Sequence, residues 1–203
     1  MKKERMIEIP DQNSYTGYSS IEVEFLGKGS FCTCYVWQPV LEDIWVISFL
    51  RIGNKESDYS KEAIALYCDN SFIPQIENLG YSKDERFMVF KSPFYAKLEK
   101  KFTEAWLQAK MLKKAYDEIV YTSDNRKLTG YEINLKIIDR LTEMNLNERL
   151  LDALIELNDS LCNYDDSYRF EFPTRNLKVD EKGNLILLDV IFNSKALRDR
   201  FES

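Results

Sequence analysis

The chain contains no histidine. That removes Ser-His-Asp and Cys-His nucleophile pairs, together with every metal site that needs imidazole. Any catalysis would rest on carboxylates, amides, lysines, the backbone or a metal. Cysteine is sparse as well: Cys32, Cys34, Cys68 and Cys162 are four in 203 residues, without the paired spacing of a zinc site and too few for a disulfide scaffold. Cys32-x-Cys34 falls on one face of a strand and reads as a pair of buried thiols. An excess of basic charge is also missing. With 28 Lys and Arg against 34 Asp and Glu, the formal charge is −6, which argues against nucleic acid or an anionic membrane surface as a partner. No apolar run approaches the roughly 18–20 residues that span a bilayer. The opening MKKERMIEIP is basic but has no apolar h-region. A cytoplasmic protein is expected.

What is present is enough apolar material for a sizeable core. At 44% hydrophobic and 13% aromatic content, the chain suits one domain or two small lobes. The first ~18 residues are polar and turn-rich. Ile21-Glu22-Val23-Glu24-Phe25 then alternates as a half-buried strand does, and Leu26-Gly27-Lys28-Gly29-Ser30 reads as a turn. Residues 31–37 and 44–52 are β-branched and aromatic runs separated by Gln38-Pro39, so the opening is a meander of three strands. Residues 60–66 carry helix formers behind a Ser60 cap. Residues 76–81 and 86–91 are two more strands joined across Lys83-Asp84-Glu85. Beyond Ser92-Pro93 the period becomes helical, over residues 97–120, 131–142 and 147–162. An irregular stretch, 163–175, precedes two short apolar runs, 177–179 and 185–188, joined by the turn Asp180-Glu181-Lys182-Gly183-Asn184.

Three features share an order. Gly27-Lys28-Gly29 lies between strands, with Val36 on the second of them, and glycine lets backbone amides approach phosphates closely. Glu171 precedes Asn176 by five positions, and Asn176 precedes Asp189 by thirteen, the Asp closing a short hairpin. In this order and spacing residues 21–192 resemble the protein kinase family, in which a catalytic-loop Asp, a metal-binding Asn and a metal-binding Asp follow a glycine-rich loop. The nearest likeness is to the small protein kinases of lytic bacteriophages, whose helical lobe is also reduced. The resemblance implies an α+β, bilobal protein kinase-like fold: an N-terminal segment over residues 1–20, a small antiparallel β-sheet N-lobe with one helix over 21–92, and a reduced, mostly helical C-lobe over 93–203. It implies ATP and Mg²⁺ as ligands. Asn176 and Asp189 would hold the metal, Glu171 would take the catalytic position, and Gly27, Lys28, Gly29, Val36, Ser48 and Glu62 would line the nucleotide.

Each signature is partly degraded. The strand lysine that holds the α- and β-phosphates is Ser48, within Trp45-Val46-Ile47-Ser48, which leaves Glu62 without its family partner. Lys28 is a cation that could reach phosphates from the loop instead. The third glycine position is Cys32, the His-Arg-Asp triplet reads Arg169-Phe170-Glu171, and Asp-Phe-Gly reads Asp189-Val190-Ile191. Glu for Asp at the catalytic position moves the carboxylate by about one C–C bond, in a reaction where misplacement can cost ~10²-fold. Pro173 stands where a lysine often neutralises the transferred phosphate. The expectation is a pseudokinase that binds or regulates a protein, a host protein if the origin is viral, with a remnant metal-nucleotide pocket. An active minimal Ser/Thr kinase is the first alternative. A helical interaction protein working through residues 97–121, with Lys97, Lys100, Lys101, Lys110, Lys113 and Lys114, is the second.

Overall fold

The computed structural model describes residues 4–28, 32–52, 70–122, 125, 127–162 and 167–193. The chain is mixed α+β, as the sequence pattern led one to expect, and divides into two compact units between Phe94 and Tyr95, with residues 70–74 belonging to the second. The helix expected over residues 60–66, and with it Glu62, Gly29 and Cys68, lies outside the described residues.

The first unit is a six-stranded antiparallel sheet. Its strands are β1 (Glu4–Pro10), β2 (Tyr18–Lys28), β3 (Cys32–Val40), β4 (Asp43–Arg51), β5 (Glu77–Tyr81) and β6 (Phe87–Pro93), in the order β1-β2-β3-β4-β6-β5. β1 was not expected, since its stretch reads as polar; its strand character rests on Ile7 and Ile9 alternating inward from exposed Glu8, with Ile7 opposite Ile21. The sheet curls until β1 lies against β5. Lys83 Nζ meets Glu8 Oε1 at 3.1 Å, and the Tyr18 hydroxyl donates to the Tyr81 carbonyl at 3.2 Å. Gly80, at φ +109, passes Pro10 where a Cβ would sit 3.8 Å away. Inside the curl, Ile9, Ile47 and Val89 form a buried cluster with Ile21, Trp37 and Phe49 packed on it. Phe25, Tyr35, Phe49 and Phe87 extend that face as edge-to-face rings with centroids 5.9–6.0 Å apart. Such contacts add about 0.5–1.5 kcal/mol per pair beyond burial. The opposite face carries a second cluster, Leu50, Met88 and Phe90.

The second unit is built on three helices: α1 (Thr103–Val120), α2 (Gly130–Glu143) and α3 (Glu148–Cys162). Residues 97–102, expected as the first turns of α1, instead begin with a two-residue strand, β7 (Ala96–Lys97). α1 buries Ala105, Gln108, Ala109, Leu112 and Ala115, the three- and four-residue spacing of one helix face. Its solvent face carries Lys113–Asp117 and Lys114–Glu118 pairs at 3.7 and 3.8 Å, contributing only tenths of a kcal/mol each. α2 opens on a capping box: Thr129 Oγ1 accepts from Glu132 N–H, and Glu132 Oε2 accepts from Thr129 N–H. At the start of α3, Asn147 Oδ1 accepts from Leu150 N–H.

The C-terminal part of this unit is short-stranded: β8 (Tyr168–Phe170), a 3₁₀ turn (Thr174–Asn176), β9 (Leu177–Val179), β10 (Leu185–Leu187) and β11 (Ile191–Asn193). They form two small sheets, β10-β9-β7 and β11-β8. The expected hairpin turn between β9 and β10 is present. Asp180 Oδ1 accepts from Lys182 and Asn184 N–H groups, and Gly183 adopts φ +83, with Phe102 3.0 Å from where a Cβ would be. The backbone angle favours glycine there, and any other residue would also press its Cβ on the Phe102 ring.

Candidate functional site

Three residues separated in the chain converge in the second unit. The Asn176 Nδ2 amide donates to the Asp189 main-chain carbonyl, and Leu188 N–H returns a bond to the Asn176 carbonyl at 2.9 Å. One residue further on, Glu171 N–H donates to the Val190 carbonyl at 2.8 Å. Asn176, Asp189 and Glu171 therefore belong to one small framework, fixed by the 3₁₀ turn on one side and the β8-β11 pairing (Phe170 opposite Ile191) on the other. Asn176 is buried, Glu171 half-buried and Asp189 exposed. With its nitrogen engaged, the Asn176 amide leaves Oδ1 as the atom able to ligate. By donor type, that oxygen and a carboxylate such as that of Asp189 are the hard oxygens Mg²⁺ takes. Among the described residues no three Cys, Asp or Glu side chains gather as a closed metal cage.

Beside Glu171 stands Tyr116 of α1, whose ring meets Phe172 edge to face with centroids 6.1 Å apart. Burial pushes the Tyr116 phenol above its ordinary value; the charges of Tyr121, Glu171 and Asp117 add to this, and Arg169 opposes it. Arg169 Nη2 donates to the Leu128 carbonyl at 3.3 Å, while its Nε is buried without a hydrogen-bond partner among the described residues.

The framework is held from behind by a helix. Asn134 of α2, 1% exposed, accepts from Phe170 N–H at 2.9 Å and donates to the Tyr168 carbonyl at 3.1 Å. Its Nδ2 also reaches Asn158 Oδ1 of α3 at 2.9 Å. A side-chain amide thus takes the place of a neighbouring strand for β8, ending one residue before Glu171. Sequence reasoning passed over Asn134 and Asn158. The available signal was a polar residue on the apolar stripe of each helix, among Ile133, Ile137 and Leu141 in one and Leu154, Leu157 and Leu161 in the other.

The remaining candidates among the described residues, Gly27, Lys28, Val36 and Ser48, lie in the first unit. β2 does not turn at Leu26 but runs on to Lys28: a bulge between Phe25 and Gly27 absorbs one residue, and pairing resumes with Gly27 opposite Cys34 and Lys28 opposite Thr33. A Cβ at Gly27 would meet open space, so packing does not demand the glycine. Lys28 is exposed. Gly27, Cys34, Val36 and Ser48 share one face, because Cys34 pairs with both Gly27 and Ser48, and Val36 lies two residues along. Ser48 is 5% exposed, opposite Phe90, with its hydroxyl 3.4 Å from Cys34 Sγ.

Comparison with family models and with curated proteins finds no match to this chain. Among the described residues no helix is long and apolar enough to cross a membrane.

Proposed function

We propose that this chain is a degenerate, protein kinase-like protein of reduced bilobal form, a pseudokinase that acts by binding a protein partner and keeps a remnant metal-nucleotide site. The observation that carries the reading is the convergence of Asn176, Asp189 and Glu171 on one hydrogen-bonded framework, from positions five and thirteen apart. In this reading Asn176 Oδ1 and the Asp189 carboxylate of the second unit hold Mg²⁺; Gly27, Lys28, Val36 and Ser48, in the first unit, are the residues the family resemblance assigns to the nucleotide. When bound, the metal would neutralise charge on the phosphates. Glu171 would orient a hydroxyl, from a position whose backbone is pinned to Val190. Weak or absent transfer is argued from Ser48: a neutral, buried side chain supplies no cation where the family places its phosphate-holding lysine. The likeness to phage kinases extends the proposal to a host protein as the partner.

A thermal-shift titration of the intact chain with ATP, with and without Mg²⁺ or Mn²⁺, tests it. The expected result is a metal-dependent rise in Tm, about 2.7 kcal/mol of added stability at 100 times Kd, lost in Asp189→Asn, with little phosphate transfer to protein hydroxyls. Absence of any shift at millimolar nucleotide overturns the metal-nucleotide site and leaves a helical interaction protein. Brisk transfer abolished by Glu171→Ala overturns the pseudokinase assignment in favour of an active minimal Ser/Thr kinase.

A further inference from the structure

A different pair of side chains, in the first unit, has the geometry of a chelate. Cys32 and Cys34 alternate onto the same face of β3, both half-buried, and neither is in a disulfide. Their sulfur atoms stand 3.8 Å apart. Two thiolates on a tetrahedral ion, with metal–sulfur bonds of about 2.3 Å, are separated by about 3.8 Å. The sulfurs therefore already stand at the spacing a shared Zn²⁺ requires. Ser48 Oγ lies 3.4 Å from Cys34 Sγ, placed to donate a hydrogen bond to that sulfur once it becomes a thiolate. Among the described residues no third acidic or thiol ligand joins the pair.

We propose that Cys32 and Cys34 form an open, two-thiolate binding site for a thiophilic divalent cation of the Zn²⁺ or Cd²⁺ class, with water or the Ser48 hydroxyl completing the coordination. Thiolates are the soft donors such ions select. Binding exchanges the two S–H protons, released to solvent, for two metal–sulfur bonds, so affinity rises with pH. The site stands on the thiol geometry alone and holds whether or not the chain binds nucleotide.

The test is a titration of the reduced, intact chain with Cd²⁺, read by the ultraviolet thiolate-to-cadmium charge-transfer band. One ion per chain is expected, with the band lost in Cys32→Ser and in Cys34→Ser and kept in a Cys68→Ser/Cys162→Ser double variant. A band that survives in either single variant, or disappears in the double variant, overturns the proposal. So does its absence from fully reduced wild-type protein. If a single variant fails to fold, alkylation of the wild-type chain replaces it: Cd²⁺ should slow labelling of Cys32 and Cys34 together, and unchanged labelling of either overturns the site.

Discussion

Asn134 shows how one side chain can carry an element. Its amide bonds a buried N–H at Phe170 and a buried carbonyl at Tyr168, on a side where the described residues supply no second strand to β8. Replacing it with leucine keeps the volume and removes both partners. An unsatisfied buried backbone group costs about 1–3 kcal/mol. Asn134→Leu should therefore lower stability by about 2–3 kcal/mol, measured as a reduced urea midpoint with an unchanged slope. On the proposed metal site, the same variant should weaken Mg²⁺-dependent nucleotide binding at temperatures where it remains folded, because the clamped strand pairs with β11, which begins two residues after Asp189. Ser48 is the opposite case: its identity was legible in the sequence, but its burial and its contact with Cys34 needed β3 and β4 to be paired.

At the level of elements, the sequence revealed type better than extent. The α2 and α3 stripes were plain from their three- and four-residue spacing. The hairpin joining β9 to β10 was plain from Asp180 and Gly183, whose side chain and φ dictate the turn. Less legible was whatever depended on a distant partner. β1 has only Ile7 and Ile9 turned inward, too short a pattern to declare itself, and β7 exists because β9 lies beside it. The Gly27 turn was misplaced because a bulge, which leaves no mark in residue type beyond the glycine itself, let the β2-β3 ladder continue. The β7-β9 register also opposes Lys97 to Lys178. Partial burial lowers the Lys178 ammonium below its ordinary value, and the Lys97 charge lowers it further. A lysine depressed in the folded state makes its charged form a liability, relieved as pH rises through the folded value. Lys178→Gln should thus stabilise the chain at neutral pH, by about 0.2–1 kcal/mol for a like-charge cross-strand pair. The gain in Tm should shrink in high salt.

For the molecule as a whole, acid is the condition to which the described charges are most exposed. Asp11 is held below its ordinary value of 3.8 by the Ser19 hydroxyl and the Asn13 N–H, and Asp84 by the Ser82 hydroxyl and Arg86. Glu118 is held below 4.5 by Arg140. A carboxylate depressed in the folded state contributes stability that is complete above its unfolded value and is lost as pH falls through the folded one. The three act in different elements, so Tm should stay level down to about pH 5 and decline progressively below about pH 4. Asp11→Asn should flatten part of that decline. The curled sheet has a consequence for life in a crowded solution. An open sheet offers two rows of unpaired backbone donors and acceptors, each a template on which another chain can add a strand. Here the outermost strands lie against one another, with Pro10, which has no N–H to give, facing Gly80, and a lysine closing over the seam onto Glu8. The same curl that gathers Ile9, Ile47 and Val89 therefore also denies neighbouring copies a place to begin a fibre.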